Sequence, residues 1–235
     1  MDGLISIIIP VYNHVEHLQE VLDALNRQSY SNIEVIVVDD GSTIPVKSAD
    51  FSGMHFPLSF LRQENKGAPA ARNFGFSRSR GEYVLFLDAD VIVSPDMFEK
   101  LYQALEKNSE ASYSYCDHYH GAKRMMSRQF DDNALKKNNY ITSMSLIRRK
   151  DFVKWDESLR RFQDWDLWLT MLEQGKRGVY VSGFLWRAYP HKGGISAWLP
   201  SYAYTFPLKY LPWFLEKVRS YEKAKRIVQE KHHLI

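Results

Sequence analysis

Two carboxylates stand two residues apart in the stretch Asp88-Ala89-Asp90, directly after the apolar run YVLFL at 83–87. Two carboxylates at the edge of a hydrophobic strand repel each other unless a positive charge lies between them. Mg²⁺ and Mn²⁺ prefer one or two carboxylates together with phosphate oxygens. The motif therefore predicts a divalent cation held by Asp88 and Asp90 beside a phosphate-bearing ligand.

Two further polar clusters follow earlier apolar runs. LISIII at 4–9 leads into PVYN at 10–13, and IEVIVV at 33–38 leads into DDGS at 39–42. In open parallel sheets, ligands bind at the carboxyl ends of the strands. We therefore expect the three clusters to converge on one crevice, although an acidic turn after a strand, taken alone, is more often a helix cap.

The elements that would position these clusters alternate along the first hundred residues. Continuous apolar runs predict strands buried on both faces, as in a parallel sheet; they lie at 4–9, 33–38, 58–61 and 83–87. Apolar spacing and capping residues predict helices at 15–28, 67–79 and 95–107, the last with Ser94 as N-cap and Pro95 as its first residue. This alternation predicts a doubly wound α/β sheet.

The pattern loosens after the fourth run, and a mixed α+β half is expected there. Strands are predicted at 140–148 and 179–185, with a short helix near residue 150. An aromatic helix is predicted at 164–174, and Gly175 should end it.

Composition narrows the class of protein. The 235 residues are 45% hydrophobic and 25% charged, as in a globular domain with at most one appendage. The single cysteine, Cys116, excludes an internal disulfide framework and fits a reducing compartment. Neither a signal sequence nor an apolar run of membrane-spanning length occurs. We therefore expect a cytoplasmic protein that meets a membrane, if at all, peripherally at the inner face.

Charge and motifs exclude two further classes. The net charge is +3, and the basic surplus lies in the tail at 209–235 rather than across the body, which argues against nucleic acid as a partner. No Gly-x-Gly-x-x-Gly follows the first strand and no Gly-Lys-Ser/Thr occurs, so neither a dinucleotide fingerprint nor a P-loop is present.

Five motifs in order resemble those of family 2 glycosyltransferases of the GT-A fold: IIIPVYN, VIVVDDGS, ENKGAPAARNFGF, YVLFLDADV and FQDWDLWL, over about residues 4–190. The resemblance implies a Rossmann-like, mostly parallel sheet with flanking helices. It implies a glycosyltransferase domain at 1–194, divided into a nucleotide-sugar-binding half at 1–110 and an acceptor-side half at 111–194. An aromatic and basic amphipathic helical extension would follow at 195–235.

The resemblance also implies a reaction and a nucleoside site. A single sugar would pass from a nucleotide-diphosphate sugar, most often a UDP-sugar in this family, to a hydroxyl acceptor such as a glycan or a lipid-linked sugar. Pro10, Tyr12 and Asp40, with Asp39 beside it, would hold the nucleoside: the carboxylate accepts the imide N–H of the base and Tyr12 stacks on the ring. Arg72 would approach the base and the diphosphate.

By the same resemblance, the DAD motif handles the diphosphate side of the donor. Asp88 would face the ribose or the metal, Ala89 would line the donor site, and Asp90 would ligate Mn²⁺ or Mg²⁺. Cations that could stabilise the leaving diphosphate are Arg72 and three residues near the end of the match: Arg187, His191 and Lys192. His191 is also a candidate metal ligand, with a structural histidine as the alternative.

Asp164 occupies the place of the family's catalytic base, and Gln163 stands where the family has Glu. Simple capping of the helix is the alternative role for Asp164, and Asp166 is expected to cap or brace the helix. A single base opposite one leaving group implies one in-line displacement and inversion at the anomeric carbon. The Gln-x-x-Arg-Trp signature of processive synthases is absent, which favours one sugar per encounter.

Two other functions remain open from the sequence. LFLDADV also fits a phosphotransferase of the haloacid dehalogenase type with Asp88 as nucleophile, although that motif normally ends the first strand of its domain. A non-catalytic sugar-nucleotide-binding module is the other alternative. The presence of both Asp90 and Asp164 argues against it.

The tail is aromatic and then amphipathic. Seven aromatic residues lie between Trp198 and Phe214, and an apolar helical stripe continues to Val228 with basic residues opposite. Packing on the domain or across a homodimer is slightly favoured, because aromatic stripes are usually buried. The alternative is a peripheral membrane contact through 198–228 that brings Asp164 to a lipid-linked acceptor.

Overall fold

Strands and helices alternate through the residues that the computed structural model describes, which are 3–13, 15–47, 51, 53–189 and 212–235, with side chains from residue 215 in the last range. The strands are β1 (Ile5–Val11), β2 (Ile33–Asp39), β3 (Leu58–Arg62), β4 (Tyr83–Phe86), β5 (Val91–Val93), β6 (Ala111–His120), β7 (Lys123–Met125), β8 (Leu146–Arg148) and β9 (Arg177–Ala188). The helices are α1 (Leu18–Asn26), α2 (Ala68–Arg78), α3 (Met97–Lys107), α4 (Asp132–Lys137), α5 (Gln163–Glu173) and α6 (Pro212–Lys231), with a 3₁₀ turn at Arg149–Asp151.

All the strands described join one sheet in the order β3-β2-β1-β4-β8-β6-β9-β5, with β7 paired to β6. The four strands from β3 to β4 are parallel, as are β6 and β9, whereas β8 and β5 run antiparallel to their neighbours. β4 lies inside the sheet and β5 at its far edge, so the chain crosses between them through Asp88, Ala89 and Asp90. The α/β sheet with flanking helices predicted from the sequence is present, with antiparallel strands added beyond β4.

Helices cover both faces of the parallel half. On one face, Ile5, Ile7 and Ile9 of β1 belong to a core shared with α1 and α3. On the other face, Ile8 packs in a core shared with α2 and α5. Because both faces of β1 are buried, its sequence is continuously apolar instead of alternating. The four predicted strands are present: β2 and β4 are buried throughout for the same reason, whereas β3 at the sheet edge is only partly buried.

Several predicted elements were wrong in their bounds. The helix expected at 15–28 spans only Leu18–Asn26, and the strand expected at 179–185 extends over Arg177–Ala188. The helix expected at 95–107 begins at Met97 with Asp96 as N-cap, and the Ser94 hydroxyl instead donates to the Asp96 carboxylate at 2.8 Å. The strand expected at 140–148 is limited to Leu146–Arg148. Ile141 is buried although it lies outside a strand. Its carbonyl, which belongs to none of the described strands, accepts a hydrogen bond from the Trp168 indole N–H at 2.9 Å. The end of α5 at Gly175, whose φ is +73°, agrees with the prediction.

The described part of the tail packs against the rest of the chain. Val218 and Val228 of α6 are buried, and the ring of Tyr221 lies 5.0 Å from that of Phe162. Arg219 on the opposite side is exposed. α6 therefore packs on the rest of the chain, which agrees with the slightly favoured alternative. The aromatic stretch up to residue 211 lies outside the described residues, so a membrane contact there stays a prediction. None of the described helices combines the length and apolar character that crossing a bilayer requires.

Close packing of α2 on the sheet depends on Gly75. A β-carbon at this position would lie 2.5 Å from Ile8 Cγ2 and 3.0 Å from Val38 Cγ2. Both neighbours are β-branched and stiff about χ1. We expect Gly75→Val to lower the free energy of unfolding by about 1–3 kcal/mol through over-packing. Urea unfolding measures the loss, and Ser77→Val on the exposed side of α2 is the matched control. Equal losses in the two variants would contradict this explanation.

Candidate active site

Three polar loops meet at the carboxyl ends of β1, β2 and β4. Parallel pairing sets Val11 beside Asp39, and the Asp40 N–H donates to the Val11 carbonyl at 2.8 Å. At the next strand, the Leu87 N–H donates to the Ile8 carbonyl at 2.9 Å. These bonds hold the PVYN, DDGS and DAD clusters at one edge of the sheet. The three clusters therefore lie at neighbouring strand ends, and a crevice shared by all three stays a prediction.

Asp39 shapes the loop that follows β2. One of its carboxylate oxygens accepts the Ser42 N–H at 2.8 Å, and the other accepts the Val46 N–H at 3.2 Å and pairs with the Arg62 guanidinium. Burial opposes the charge of this carboxylate, but the Ser42, Val46 and Arg62 donors outweigh it and hold the pKa of Asp39 below its ordinary value. Its oxygens are used by its own loop and by Arg62 at the end of β3, and a contact of Asp39 with the nucleoside stays a prediction.

Asp40 is buried but keeps room for one more donor. Oδ1 accepts the Gln63 side-chain amide at 2.8 Å and the Lys66 N–H at 2.9 Å, and Oδ2 accepts the Gly67 N–H at 2.8 Å. A carboxylate has about four lone-pair positions. Three partners from the chain therefore leave about one acceptor position on Asp40.

An open groove of about 510 Å³ lies beside Asp40, lined by Gly41, Arg62, Gln63, Glu64 and Asn65. Gly41 has a φ of +79°, and a β-carbon there would lie 2.7 Å from the Asn65 backbone nitrogen, so only glycine fits this approach. Of the other predicted nucleoside residues, Pro10 is half-buried and the Tyr12 ring is 47% exposed. An exposed aromatic ring can stack on a planar ligand.

Arg72 connects the end of β4 with the start of α5. The residue is buried in α2, and its guanidinium donates to Asp88 Oδ1 at 2.8 Å and to Gln163 Oε1 at 3.2 Å. It also lies over the Trp155 ring, 4.7 Å from the centroid. Arg72 is therefore not the exposed helix arginine that an isolated reading of α2 would predict. It holds a fixed positive charge between the DAD motif and the helix that carries Asp164.

Asp164 is the second residue of α5 and does not cap it. The N-cap is Phe162, in the left-handed region with a φ of +58°, and no side chain caps this helix end. Asp164 Oδ1 accepts the N–H of Trp165 at 2.9 Å. Burial raises the pKa of Asp164; the charge of Asp88 adds to the rise, whereas the Trp165 N–H and Arg72 oppose it. A carboxylate with a raised pKa is a better proton acceptor than an exposed one.

Asp88 and Asp90 fit a hard divalent cation that completes its coordination with ligand oxygens. The Asp88 side chain is 40% exposed and gives one oxygen to Arg72, and the Asp90 carbonyl accepts the Tyr189 N–H at 3.2 Å. Among the described residues, no three acidic, histidine or cysteine side chains gather as a complete metal site. Two carboxylates plus diphosphate oxygens and water is the set that Mg²⁺ prefers. The donor set therefore suits a cation that arrives with its nucleotide.

Of the three remaining candidate cations, only Arg187 belongs to the described residues. Arg187 in β9 donates to the Gly121 carbonyl, and its guanidinium lies 4.2 Å from the centre of the Tyr119 ring. His191 and Lys192 lie outside the described residues, so their roles stay predictions. The Tyr189 N–H donates to the Asp90 carbonyl, so Tyr189, the last described residue of this part of the chain, lies beside the DAD motif.

Sequence reasoning missed the partners of Asp166. Its Oδ1 contacts Lys231 Nζ at 2.7 Å and His232 Nε2 at 2.8 Å, both at the C-terminal end of α6. The expectation that Asp166 braces α5 agrees with this contact. The partners lie about 65 residues further along the chain, and no local pattern around Lys231 or His232 marks them.

Comparison with known proteins gives the same site a family context. The model of glycosyl transferase family 2 matches residues 6–156. An uncharacterized glycosyltransferase of Haemophilus influenzae is 32% identical over 194 residues, which cover 76% of each chain. Across eight curated relatives that it matches, the chain spans between 15% and 76% of the relative's own length.

Two solved structures share the fold. S. aureus TarS (residues 1–349) in complex with UDP-GlcNAc superposes with a TM-score of 0.70 at 19% identity, over 84% of this chain and 62% of the other. The mannosyltransferase PcManGT from Pyrobaculum calidifontis, in complex with GDP-Man and Mn²⁺, superposes with a TM-score of 0.62 at 20% identity. The superposition covers 83% of this chain and 59% of the other. At sequence identities this low, the superpositions support a shared fold and nothing more specific.

Proposed function

The chain belongs to glycosyl transferase family 2, and from that premise we propose that it transfers a single sugar from a UDP-sugar to a hydroxyl acceptor with inversion. The observation that carries this proposal is the position of Arg72, which contacts both Asp88 of the DAD motif and Gln163 beside Asp164. One buried arginine therefore joins a donor-side carboxylate to the residue that precedes the candidate base. A transfer reaction needs the carboxylate and the base within reach of one sugar carbon.

The single acceptor position left on Asp40 favours a pyrimidine nucleotide. The imide of uracil or thymine offers one N–H, whereas the corresponding edge of guanine offers N–H groups at two positions and needs two acceptors. With Gln63, Lys66 and Gly67 already bound to Asp40, the single imide N–H fits better. The fold neighbour TarS was solved with UDP-GlcNAc, which supports UDP, whereas PcManGT was solved with GDP-Man.

Asp88 and Asp90 are the proposed holders of Mn²⁺ or Mg²⁺, as the Mn²⁺ in PcManGT supports. When bound, the cation would neutralise negative charge that develops on the departing diphosphate. Arg72 places a second positive charge on the same side, through its contact with Asp88. Because Arg72 is buried and held by Gln163 and Trp155, its charge needs no rearrangement during the reaction.

Asp164 is the proposed general base. Its ionised carboxylate takes the proton of the acceptor hydroxyl while that oxygen forms a bond to the anomeric carbon. The bond from this carbon to the diphosphate oxygen breaks in the same displacement, and the nucleoside diphosphate leaves with the electron pair. One displacement from the opposite side inverts the anomeric configuration. Burial of Asp164 raises its pKa, which suits proton acceptance.

The proposed acceptor is a hydroxyl of a cell-surface glycan or glycolipid, as part of polysaccharide synthesis. The phosphotransferase alternative is less well supported, because Asp88 follows the fourth strand of the chain and gives an oxygen to Arg72. A nucleophilic carboxylate that is paired with an arginine is a weaker attacking group. The non-catalytic alternative is also less well supported, because a raised pKa such as that of Asp164 is typical of catalytic sites.

Thermal unfolding with a panel of nucleotides tests this proposal. We expect UDP with Mn²⁺ to raise the melting temperature, since a ligand at 100 times its Kd adds about 2.7 kcal/mol of stability. UDP without metal should raise the melting temperature less than UDP with Mn²⁺. At equal concentration, GDP should raise it less than UDP. Release of UDP from a panel of UDP-sugars, with simple glycoside acceptors, measures the reaction. Phosphate release from a generic phosphomonoester, with no response to any nucleotide, would overturn the proposal.

A further inference from the structure

Five charged side chains meet where the end of α6 reaches α5, and we call them the α5–α6 charge cluster: Asp156, Asp166, Glu173, Lys231 and His232. Lys231 Nζ lies 2.7 Å from both Asp156 Oδ2 and Asp166 Oδ1. His232 places Nε2 2.8 Å from Asp166 Oδ1 and Nδ1 2.7 Å from Glu173 Oε1. The cluster therefore connects the last turn of α6 to both ends of α5.

The contacts of His232 require a doubly protonated ring. Ionised carboxylates only accept hydrogen bonds, so a ring nitrogen that contacts one must donate. Both ring nitrogens contact carboxylates, from Asp166 and Glu173, and the side chain is only 2% exposed. The other charged groups that face this position are Lys231 and Asp156. Burial opposes protonation, but the bonds to Asp166 and Glu173 outweigh it and raise the pKa of His232 above its ordinary value.

The same helix carries the candidate base. Asp166 lies two residues after Asp164 in the first turn of α5, and Glu173 is the last residue of that helix. A second contact from α6 supports this turn, because Tyr221 packs on Phe162, which holds the left-handed conformation just before the helix. A non-glycine residue in that region persists only where its surroundings impose it. α6 thus contacts the first turn of α5 on both sides of Asp164 in sequence.

We propose that His232 is a positioning residue for the transfer reaction: its charged ring ties Asp166 and Glu173 to α6 and so fixes the turn of α5 that carries Asp164. This inference rests on the proposed role of Asp164. When the ring loses a proton, one nitrogen becomes an acceptor facing a carboxylate. That contact turns repulsive, and α5 loses a restraint, at its first turn where the nitrogen faces Asp166 and at its last turn where it faces Glu173.

The pH dependence follows from the direction of the shift. A histidine whose folded pKa is raised contributes its stabilisation below its unfolded pKa and loses it as pH rises through the folded pKa. We therefore expect kcat to fall on the alkaline side through the pKa of His232, while the affinity for donor stays constant. A purely stabilising contact would change the melting temperature with pH and leave kcat and the donor Kd unchanged in the folded protein.

The test compares His232→Asn with His233→Asn, the same substitution at the exposed neighbouring position. We expect His232→Asn to lower kcat about 10- to 100-fold at neutral pH, the usual effect of a small misplacement of a catalytic group. The donor Kd by calorimetry should match wild type. As pH rises through the pKa of His232, wild-type kcat should approach that of the variant. His232→Gln, which retains a donor toward Asp166, should recover part of the activity, and His233→Asn should behave as wild type.

Two measurements keep the test independent of turnover. NMR titration of wild-type His232 should give a pKa above that of an exposed histidine, and amide exchange in residues 163–168 should accelerate through the same pH range. A His232 that titrates at or below its ordinary pKa would overturn the inference, as would unchanged kcat in a folded His232→Asn. If the wild type transfers no sugar at all, the proposed function fails, whereas the titration and the exchange still test the positioning of α5.

Discussion

Replacing Asp164 with asparagine is expected to lower kcat about 10²- to 10⁴-fold, the usual contribution of a positioned general base. Asparagine has no carboxylate to take the acceptor proton, but its side-chain oxygen can still accept the Trp165 N–H that Asp164 accepts at 2.9 Å. The fold and the donor affinity should therefore remain. Single-turnover kinetics and calorimetry with UDP measure the two quantities separately.

The stability of this variant distinguishes a base from a cap. The pKa of Asp164 is raised, so its ionised form is disfavoured in the folded protein. Above that pKa, the ionised Asp164 lowers the free energy of unfolding. The Asp164→Asn substitution would remove this cost, and the free energy of unfolding at neutral pH should stay equal or rise. In the wild type, kcat should increase with pH through a pKa above the ordinary value for Asp. The control Asp131→Asn, at the N-cap of α4, keeps its cap and should change neither kcat nor stability. Turnover at the wild-type rate in Asp164→Asn would exclude Asp164 as the base.

Replacing Asp90 with asparagine is expected to abolish the part of UDP affinity that depends on Mn²⁺. Asp88 and Asp90 are the two carboxylates proposed to hold the metal, and Asp88 Oδ1 already accepts a hydrogen bond from Arg72. Since losing an outer-shell partner alone typically costs about 10- to 100-fold in metal affinity, losing Asp90 should cost at least about 100-fold in the Kd for Mn²⁺. Calorimetry with UDP, with and without Mn²⁺, measures the effect, and Mn²⁺ electron paramagnetic resonance reports the bound ion directly.

The fold should survive this change, because Asp90 lies in the connection between β4 and β5 and is half-buried. Asp96→Asn, six residues further on and outside the site, is the control for loss of one negative charge. UDP affinity without metal should be the same in wild type and Asp90→Asn. Equal binding of UDP and Mn²⁺ by wild type and Asp90→Asn would contradict the metal assignment.

Much of the site could be predicted because its residues follow buried parallel strands. A strand covered on both faces must be continuously apolar, so the ends of β1, β2 and β4 are visible in the sequence as sudden polar clusters. Parallel strands end at one edge, which places Tyr12, Asp40 and Asp88 together without knowledge of any contact. The strand β6 was not predicted, because its buried stretch ASYSYCD mixes serine, tyrosine and aspartate instead of forming an apolar run.

By itself, the sequence determined the order of the elements in the first half, the identity of the polar clusters and the place of Asp164 at the start of a helix. Each of these depends on local pattern: apolar runs, helical spacing and the residues next to strand ends. The folded structure decided how the carboxylates of Asp39 and Asp40 are used, since both are buried. Asp39 and Asp40 are neighbours, yet Asp39 turns into its loop toward Arg62, while Asp40 lies beside the groove.

The tertiary structure also decided what surrounds Asp164. Arg72 reaches Gln163 across 91 residues, and His232 reaches Asp166 across 66. Hydrogen bonds and charge pairs between such distant residues depend on how α2, α5 and α6 pack on the sheet, and that packing involves the whole core. Local sequence pattern records which side chains can form such bonds, but the partner of each is set by the folded arrangement of the helices.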